Sequence, residues 1–84
     1  MTKDQIRQSI IKEIIQVAPD IEEGEIISDE NIQRSLEIDS FDFLKILTAL
    51  YTQLGVEVPE TDYAKVDTLE HMAAYFLQRI EDLN

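Results

Sequence analysis

The sequence has no cysteine, few basic residues and no long apolar run. Without cysteine the chain can form neither a disulfide nor a thiolate metal site, and a reducing compartment is the plain expectation. No apolar run approaches the roughly 18 residues of a membrane span, and the charged segment 1–8 lacks the apolar stretch of a signal peptide. We therefore expect a soluble cytoplasmic protein.

Basic residues are outnumbered, since 18 Asp and Glu against 7 Lys and Arg give a net charge of −11. Between Asp20 and Asp42, nine acidic residues and one basic residue, Arg34, give −8 of that total. Such a surface repels phosphate groups, so we expect no nucleic acid partner and no membrane partner. It would steer the chain toward basic protein surfaces, or it serves only to keep a small protein soluble.

Residues that would form a catalytic or metal site are missing. The best calcium-loop window begins at Asp29, but it has Arg34 where glycine is needed and Ser40 where a bidentate glutamate is needed. The single histidine, His71, has no second histidine or cysteine with which to hold a metal. A Ser40–His71 hydrolase pair lacks the strand–turn–helix elbow that exposes a catalytic serine. We expect a protein that is not an enzyme.

Apolar periodicity and capping patterns predict helices, and no strand pattern is present. Thr2 and Gln5 form a capping box before an amphipathic helix of about fifteen residues, which Ala18-Pro19 ends. The segment 20–39 is acidic and aperiodic, and we predict a long loop with a short helical turn near residues 29–35. Its apolar residues are expected to pin it to the core: Ile21, Ile26, Ile27, Ile32, Leu36 and Ile38.

A second long helix is predicted after this loop, with Ser40 or Asp39 as its cap and Gly55 as its left-handed stop after Leu54. An extended link at 56–59 and one or two turns at 60–65 follow. A capping box at 67–70 then begins the final helix. We predict one all-α domain over residues 1–84. It is a small antiparallel four-helix bundle with three main helices, one short helix and a long loop after the first helix. The aromatic residues are interpreted as packing groups.

Taken together, these features resemble the acyl carrier protein family over essentially the whole chain. The family pattern around its serine reads L-G-x-D-S-[LF]-D. The residues that carry the resemblance are Leu36, Asp39-Ser40-Phe41-Asp42, the apolar series through Leu54, Gly55-Val56-Glu57-Val58-Pro59 and Val66-Asp67-Thr68-Leu69.

The resemblance implies that Ser40 carries 4′-phosphopantetheine through a phosphodiester, with Asp39, Phe41 and Asp42 supporting the site and its recognition by a phosphopantetheinyl transferase. The thiol of that arm would hold an acyl group as a thioester for fatty acid, specialised lipid or polyketide synthesis. Expected partners are the transferase and enzymes of the ketosynthase, acyltransferase or ligase type. The carrier itself is expected to be a monomer. An aminoacyl carrier of the peptidyl or D-alanyl type, and an unmodified acidic interaction module, remain as alternatives.

Two positions depart from the family pattern. Glu37 stands where the family usually has glycine before the Asp-Ser pair. In addition, the helix after Ser40 has no acidic residue beyond Asp42, whereas common fatty-acid carriers have a glutamate-rich docking face there. We therefore expect a specialised carrier rather than a housekeeping one. The predicted partner surface consists of Leu44, Lys45, Thr48, Tyr51 and Thr52.

Overall fold

A computed structural model describes residues 1–83, and within them the chain is built from helices and contains no strand. The four α-helices are α1 (Lys3–Val17), α2 (Ile32–Ser35), α3 (Ser40–Leu54) and α4 (Leu69–Leu83). Two 3₁₀ helices lie in the connections, at Glu23–Glu25 and at Glu60–Val66, and the second is called the 60–66 helix below. The predicted all-α bundle is confirmed. No helix of the described chain is long and apolar enough to cross a membrane.

The first helix has the predicted boundaries because both of its ends are determined locally. The Thr2 hydroxyl accepts from the backbone N–H of Gln5 at 3.1 Å, and the Gln5 side chain accepts from the N–H of Thr2 at 2.9 Å. Ala18 leaves the helical conformation, with φ −128°, immediately before Pro19. The capping box and the stop are therefore confirmed.

The core lies between α1, α3 and α4, because α1 packs against both of the other long helices. Apolar side chains at three- and four-residue steps form one buried stripe on each helix. Truncating one of the large fully buried side chains to alanine costs roughly 2–5 kcal/mol in proteins of this kind. The largest of these are Phe76, Ile6, Ile10, Ile14, Ile46, Leu50, Leu69, Met72 and Val66.

The long connection between α1 and α3 is tied to the bundle. The N–H of Ile32 donates to the carbonyl of Asp67 at 2.8 Å, and the N–H of Glu70 donates to the carbonyl of Ser28 at 3.0 Å. Of its apolar residues, Ile21, Ile32 and Ile38 are buried and Ile26 and Leu36 are partly buried. The expectation was wrong for Ile27, which is 45% exposed.

The start of α4 differs from the predicted capping box by one residue. The Thr68 hydroxyl accepts from the N–H of His71 at 3.0 Å, so Thr68 and not Asp67 provides the cap. Asp67 has right-handed helical backbone angles, φ −80° and ψ −23°, whereas an N-cap residue needs an extended backbone. The Asp67 carboxylate instead lies 2.7 Å from Nδ1 of His71.

A polar cluster around Asp62 holds the 60–66 helix against α4. Asp62 is buried, and its Oδ2 accepts from the Tyr75 hydroxyl at 2.7 Å and from Nη2 of Arg79 at 3.1 Å. Its Oδ1 lies 3.3 Å from Nζ of Lys65. The hydrogen bond from Tyr75, helped by Lys65 and Arg79 and opposed by desolvation, holds the pKa of the Asp62 carboxyl below its ordinary value of 3.8.

Because the pKa of Asp62 is lower in the folded chain, its ionised form stabilises the fold above the ordinary pKa. That stabilisation is lost as the pH falls through the folded-state pKa. We expect Asp62→Asn to lower the free energy of unfolding near pH 6, and the difference from wild type to shrink as the pH falls below 3.8. Urea unfolding followed by circular dichroism at several pH values measures this difference.

The control is Asp29→Asn, which removes the same charge from an exposed side chain without a hydrogen bond or ion pair in the described chain. It should not reproduce the difference. A destabilisation by Asp62→Asn that stays constant from neutral to strongly acidic pH would contradict this role of the Asp62 carboxylate.

Candidate cofactor-attachment site

The candidate site lies at the first turn of α3, where the helix cap decides which side chains are free. Asp39 has an extended backbone, with φ −79° and ψ 175°, and its Oδ1 accepts from the N–H of Asp42 at 2.8 Å. Asp39 is therefore the N-cap, and Ser40 is the first helical residue. Of the two residues that the sequence offered as caps, Ser40 is the wrong one.

Since Asp39 provides the cap, the hydroxyl of Ser40 is not needed to hold the helix. Ser40 is exposed, and no hydrogen bond to its hydroxyl is formed within residues 1–83. The first N–H groups of a helix have no partner within it, and the helix dipole places partial positive charge there. The position therefore suits a phosphodiester on the Ser40 oxygen, whose other oxygens would meet these N–H groups.

Phe41 and Asp42, the two residues that follow Ser40 in α3, differ in how far they are exposed. Phe41 is 77% exposed, so its interpretation as a packing group was wrong. Tyr51, further along α3, is 50% exposed, which contradicts its interpretation as a packing group and agrees with its place in the predicted partner surface. The buried face of α3 is formed by Phe43 and its helical neighbours, and these two rings lie outside it. Asp42 is half-buried, with Nζ of Lys45 at 3.7 Å.

Glu37 is the one residue other than glycine with a positive φ in the described chain, at 54°. It follows the last turn of α2, and the N–H of Ile38 donates back to the carbonyl of Gln33 at 2.9 Å. This six-to-one hydrogen bond is the Schellman ending of a helix, in which a left-handed residue, usually glycine, follows the C-cap. The geometry thus gives a physical reason for the glycine that the family has at this position.

The predicted partner surface is exposed along the outer side of α3. Leu44 is 41% exposed, and the other members are also exposed: Lys45, Thr48, Tyr51 and Thr52. An open groove of about 260 Å³ overlaps this surface, and it is called the α3 groove below. It is lined by Leu44, Leu47, Thr48, Tyr51, Glu57, Val58 and Tyr63. That this surface binds partner enzymes stays a prediction.

The structure does not bring together the residues of a hydrolase site. His71 is exposed on α4, and its Nδ1 contacts the Asp67 carboxylate at 2.7 Å rather than Ser40. That contact, as the largest effect, holds the pKa of the Asp67 carboxyl below its ordinary value of 3.8. His71 is therefore part of a surface pair at the start of α4.

Comparison with known proteins decides the family. The family described as "Phosphopantetheine attachment site" matches residues 9–76, which include the whole of α3 and its cap. The chain belongs to the acyl carrier protein family. Carriers of this family hold 4′-phosphopantetheine and are not enzymes, and they interact with a transferase and with acyl-handling enzymes.

Two relatives illustrate the range of this family. An "Acyl carrier protein" of Rubrobacter xylanophilus is 25% identical over 75 residues, which cover 86% of this chain and 93% of the relative. A "Meromycolate extension acyl carrier protein" of Mycobacterium tuberculosis is 32% identical over 74 residues, covering 88% of this chain and 64% of the relative. The carrier thus spans just under two thirds of the mycobacterial protein's length.

The left-handed backbone at Glu37 leads to a stability prediction. A side chain in this conformation costs roughly 1–2 kcal/mol, and the greater freedom of glycine in the unfolded chain offsets roughly 0.4–1 kcal/mol of the gain. We expect Glu37→Gly to raise the free energy of unfolding by up to about 1 kcal/mol, measured by urea unfolding.

Glu37→Gln is the matched control, because it removes the charge from the acidic segment and keeps the side chain in the left-handed conformation. An equal gain in Glu37→Gln would assign the effect to charge. A Glu37→Gly protein no more stable than wild type would contradict the account of strain.

Proposed function

We propose that Ser40 is the attachment site of 4′-phosphopantetheine and that the carrier delivers an acyl group, held on this arm, to biosynthetic enzymes. The observation that carries the proposal is the exposed Ser40 hydroxyl at the first helical position of α3, left free because the Asp39 carboxylate provides the cap. When bound, the arm supplies a thiol that this cysteine-free chain lacks.

The residues around Ser40 fit such a group in different ways. The N–H groups of the first turn of α3 that the Asp39 cap leaves free would hold the phosphodiester, and the dipole of the fifteen-residue helix favours its negative charge. Phe41 offers an exposed ring beside the serine, which a transferase can contact. Asp39 and Asp42 keep the first turn in place through their hydrogen bond.

The carried group is proposed to be an acyl chain of fatty acid, specialised lipid or polyketide synthesis. A lipid pathway is favoured by the relative whose name refers to meromycolate extension. An aminoacyl group is the second candidate for the same arm. The proposed partner enzymes are a phosphopantetheinyl transferase and ketosynthases, acyltransferases or ligases. The cytoplasm is the proposed compartment, since a chain without cysteine is suited to reducing conditions.

The attachment is tested by incubating the unmodified protein with coenzyme A and a broad-specificity transferase and measuring the intact mass. We expect an increase equal to one phosphopantetheine group, which Ser40→Ala abolishes. Ser35→Ala is the matched control, because Ser35 is a second exposed serine five residues away and should leave the increase unchanged.

Ser40→Ala should remain folded, because the cap is on Asp39, and circular dichroism verifies this. An unchanged mass with several transferases would favour the unmodified interaction module. A mass increase that persists in Ser40→Ala would place the group elsewhere and contradict the proposal.

We also propose that this is a specialised carrier. Partner enzymes recognise the outer surface of its α3 largely through apolar contacts. Phe41, Leu44 and Tyr51 are exposed along this helix, and Lys45 contributes a positive charge among them. Beyond Asp42 the helix has no carboxylate with which to meet lysine or arginine of a partner. The acidic charge of the molecule lies mainly in the connection before α3. There it can attract a basic partner enzyme toward the carrier without forming part of the surface on α3 that the enzyme contacts.

This proposal predicts a gain of binding in Lys45→Glu. A housekeeping ketosynthase with a basic docking surface should bind the wild-type carrier weakly and the variant roughly two- to fivefold more tightly, as one new exposed ion pair supplies. The gain should decrease with added salt. Titration by calorimetry at two salt concentrations measures it.

Lys12→Glu is the control, since it makes the same change of charge at an exposed position of α1. Equal gains in both variants would show that net charge alone matters. Tight binding of the wild-type carrier to the housekeeping enzyme through α3 would contradict the proposal that this is a specialised carrier.

A further inference from the structure

Another open groove, of about 510 Å³, lies between the 60–66 helix and α4, and it is called the α4 groove below. Its apolar lining consists of Ala64, Ala74 and Tyr75. None of its lining residues belongs to α3, so it is separate from the predicted partner surface. Its volume falls in the range of roughly 300–1,000 Å³ that is typical of binding pockets.

The charged side chains that line the α4 groove are all basic. Lys65 and Arg79 line it together with His71, and no carboxylate within residues 1–83 does so. The chain has 18 acidic residues and only 7 Lys and Arg, so two of these seven lie at one groove. The α4 groove is therefore a local basic surface on an acidic molecule.

The two cations of the α4 groove are held close together by one buried carboxylate. Nη2 of Arg79 lies 3.1 Å from Oδ2 of Asp62, and Nζ of Lys65 lies 3.3 Å from Oδ1. Arg79 also lies over the ring of Tyr75, with its Cζ 4.8 Å from the ring centroid. Asp62 is buried and does not line the groove, so it positions both cations while offsetting one of their two charges.

Both cations keep hydrogen-bond donors for a further partner. A guanidinium has five N–H donors and an ammonium has three, and the contact with Asp62 occupies one donor of each. The side chain of Arg79 is 47% exposed and that of Lys65 is 65% exposed. A carboxylate that reaches the α4 groove can therefore accept charge-assisted hydrogen bonds from both.

The charge of the whole chain limits what can occupy the α4 groove. A long polyanion such as nucleic acid, or an anionic membrane, would bring its negative charge against a net charge of −11. A short acidic segment has to meet only the local cations, because at about 0.15 M salt charges more than roughly 8 Å away are largely screened. The apolar lining further favours a segment that also carries an apolar side chain.

We propose that the α4 groove docks an acidic segment of a partner protein. Lys65 and Arg79 bind its carboxylates, and Ala64, Ala74 and Tyr75 cover an apolar side chain beside them. The acidic connection before α3 attracts basic surfaces instead. The carrier thus offers surfaces of opposite sign, which favour one orientation of a partner that carries both charges.

The test measures binding of a short fluorescein-labelled peptide of alternating glutamate and leucine to the carrier, by fluorescence anisotropy at about 0.15 M salt. We expect Lys65→Glu to weaken binding roughly five- to tenfold, because one exposed ion pair is lost and a repulsion replaces it. Lys12→Glu is the matched control, since it makes the same change of charge at an exposed position of α1 outside the groove. It should leave the binding nearly unchanged.

A second variant leaves the contacts of Asp62 intact. Ala74 is exposed and lines the α4 groove, so Ala74→Glu places a carboxylate there and should also weaken binding. Ala74→Gln adds a side chain of the same size without the charge and should weaken binding less. Circular dichroism verifies that each variant is folded.

The proposal is overturned if the wild-type carrier does not bind the peptide, or binds a peptide with glutamine in place of glutamate equally well. Equal weakening by Lys12→Glu would also overturn it, as would equal weakening by the two variants of Ala74. Tighter binding of a single-stranded oligonucleotide or of phosphatidylglycerol vesicles than of the peptide would assign the groove to another class of partner and contradict the proposal.

The unmodified carrier is used in these measurements, so they do not depend on attachment at Ser40. A carrier that accepts no phosphopantetheine can still bind the peptide through the α4 groove. A carrier that is modified normally at Ser40 but does not bind the peptide contradicts only the role of the groove.

Discussion

The hydrogen bond from the N–H of Asp42 to the carboxylate of Asp39 is the interaction on which the proposed site depends. A helix N-terminus needs acceptors for its first N–H groups, and Ser, Asp and Asn provide them about equally well. Because Asp39 takes this role, Ser40 stands one residue inside the helix with its hydroxyl free. The same cap keeps the first turn of α3 wound, so the remaining N–H groups of that turn stay available to an acceptor at the helix N-terminus.

The position of this turn depends on the chain segments that lead into α3 and out of it. The left-handed residue Glu37 reverses the chain after α2, and the buried Ile38 anchors it immediately before the cap. At the other end, Gly55 adopts φ 74° and its N–H donates to the carbonyl of Tyr51, which ends the helix. The buried valines of the following link then lead into the 60–66 helix, which forms the far side of the α3 groove.

The sequence predicts the helices well because their signals are local. The Thr2–Gln5 capping box, the Ala18-Pro19 stop and the left-handed Gly55 depend on residues within one turn of each other, and all three are confirmed. The cap of α3, left open between Ser40 and Asp39, and the cap of α4, assigned wrongly to Asp67, both lie where two adjacent residues can cap. Only the backbone conformation of each decides between them, and at Asp67 that conformation is set by the preceding 60–66 helix.

Other features depend on contacts between distant parts of the chain and were therefore missed. The Asp62 cluster joins the 60–66 helix to residues thirteen and seventeen positions later, and no spacing rule connects them. Exposure of Ile27 could not be deduced, because apolar residues outnumber the places in the core of so small a domain. For Phe41 and Tyr51 the periodicity indicated packing, whereas the family resemblance placed them at the attachment site and on the partner surface, and their exposure agrees with the resemblance. The left-handed backbone at Glu37 could have been predicted, however, because Glu37 replaces a glycine of the family and glycine is typical of that conformation.

The central claim is that 4′-phosphopantetheine is covalently attached to Ser40. Peptide mass mapping of the protein purified from its own cells tests this claim most directly. Trypsin cleaves after Arg34 and Lys45, so one peptide contains both Ser35 and Ser40 and provides its own control. The account predicts that fragmentation of this peptide places 4′-phosphopantetheine, free or acylated, on Ser40. The group found on Ser35 or on another peptide, with Ser40 unmodified, would contradict it.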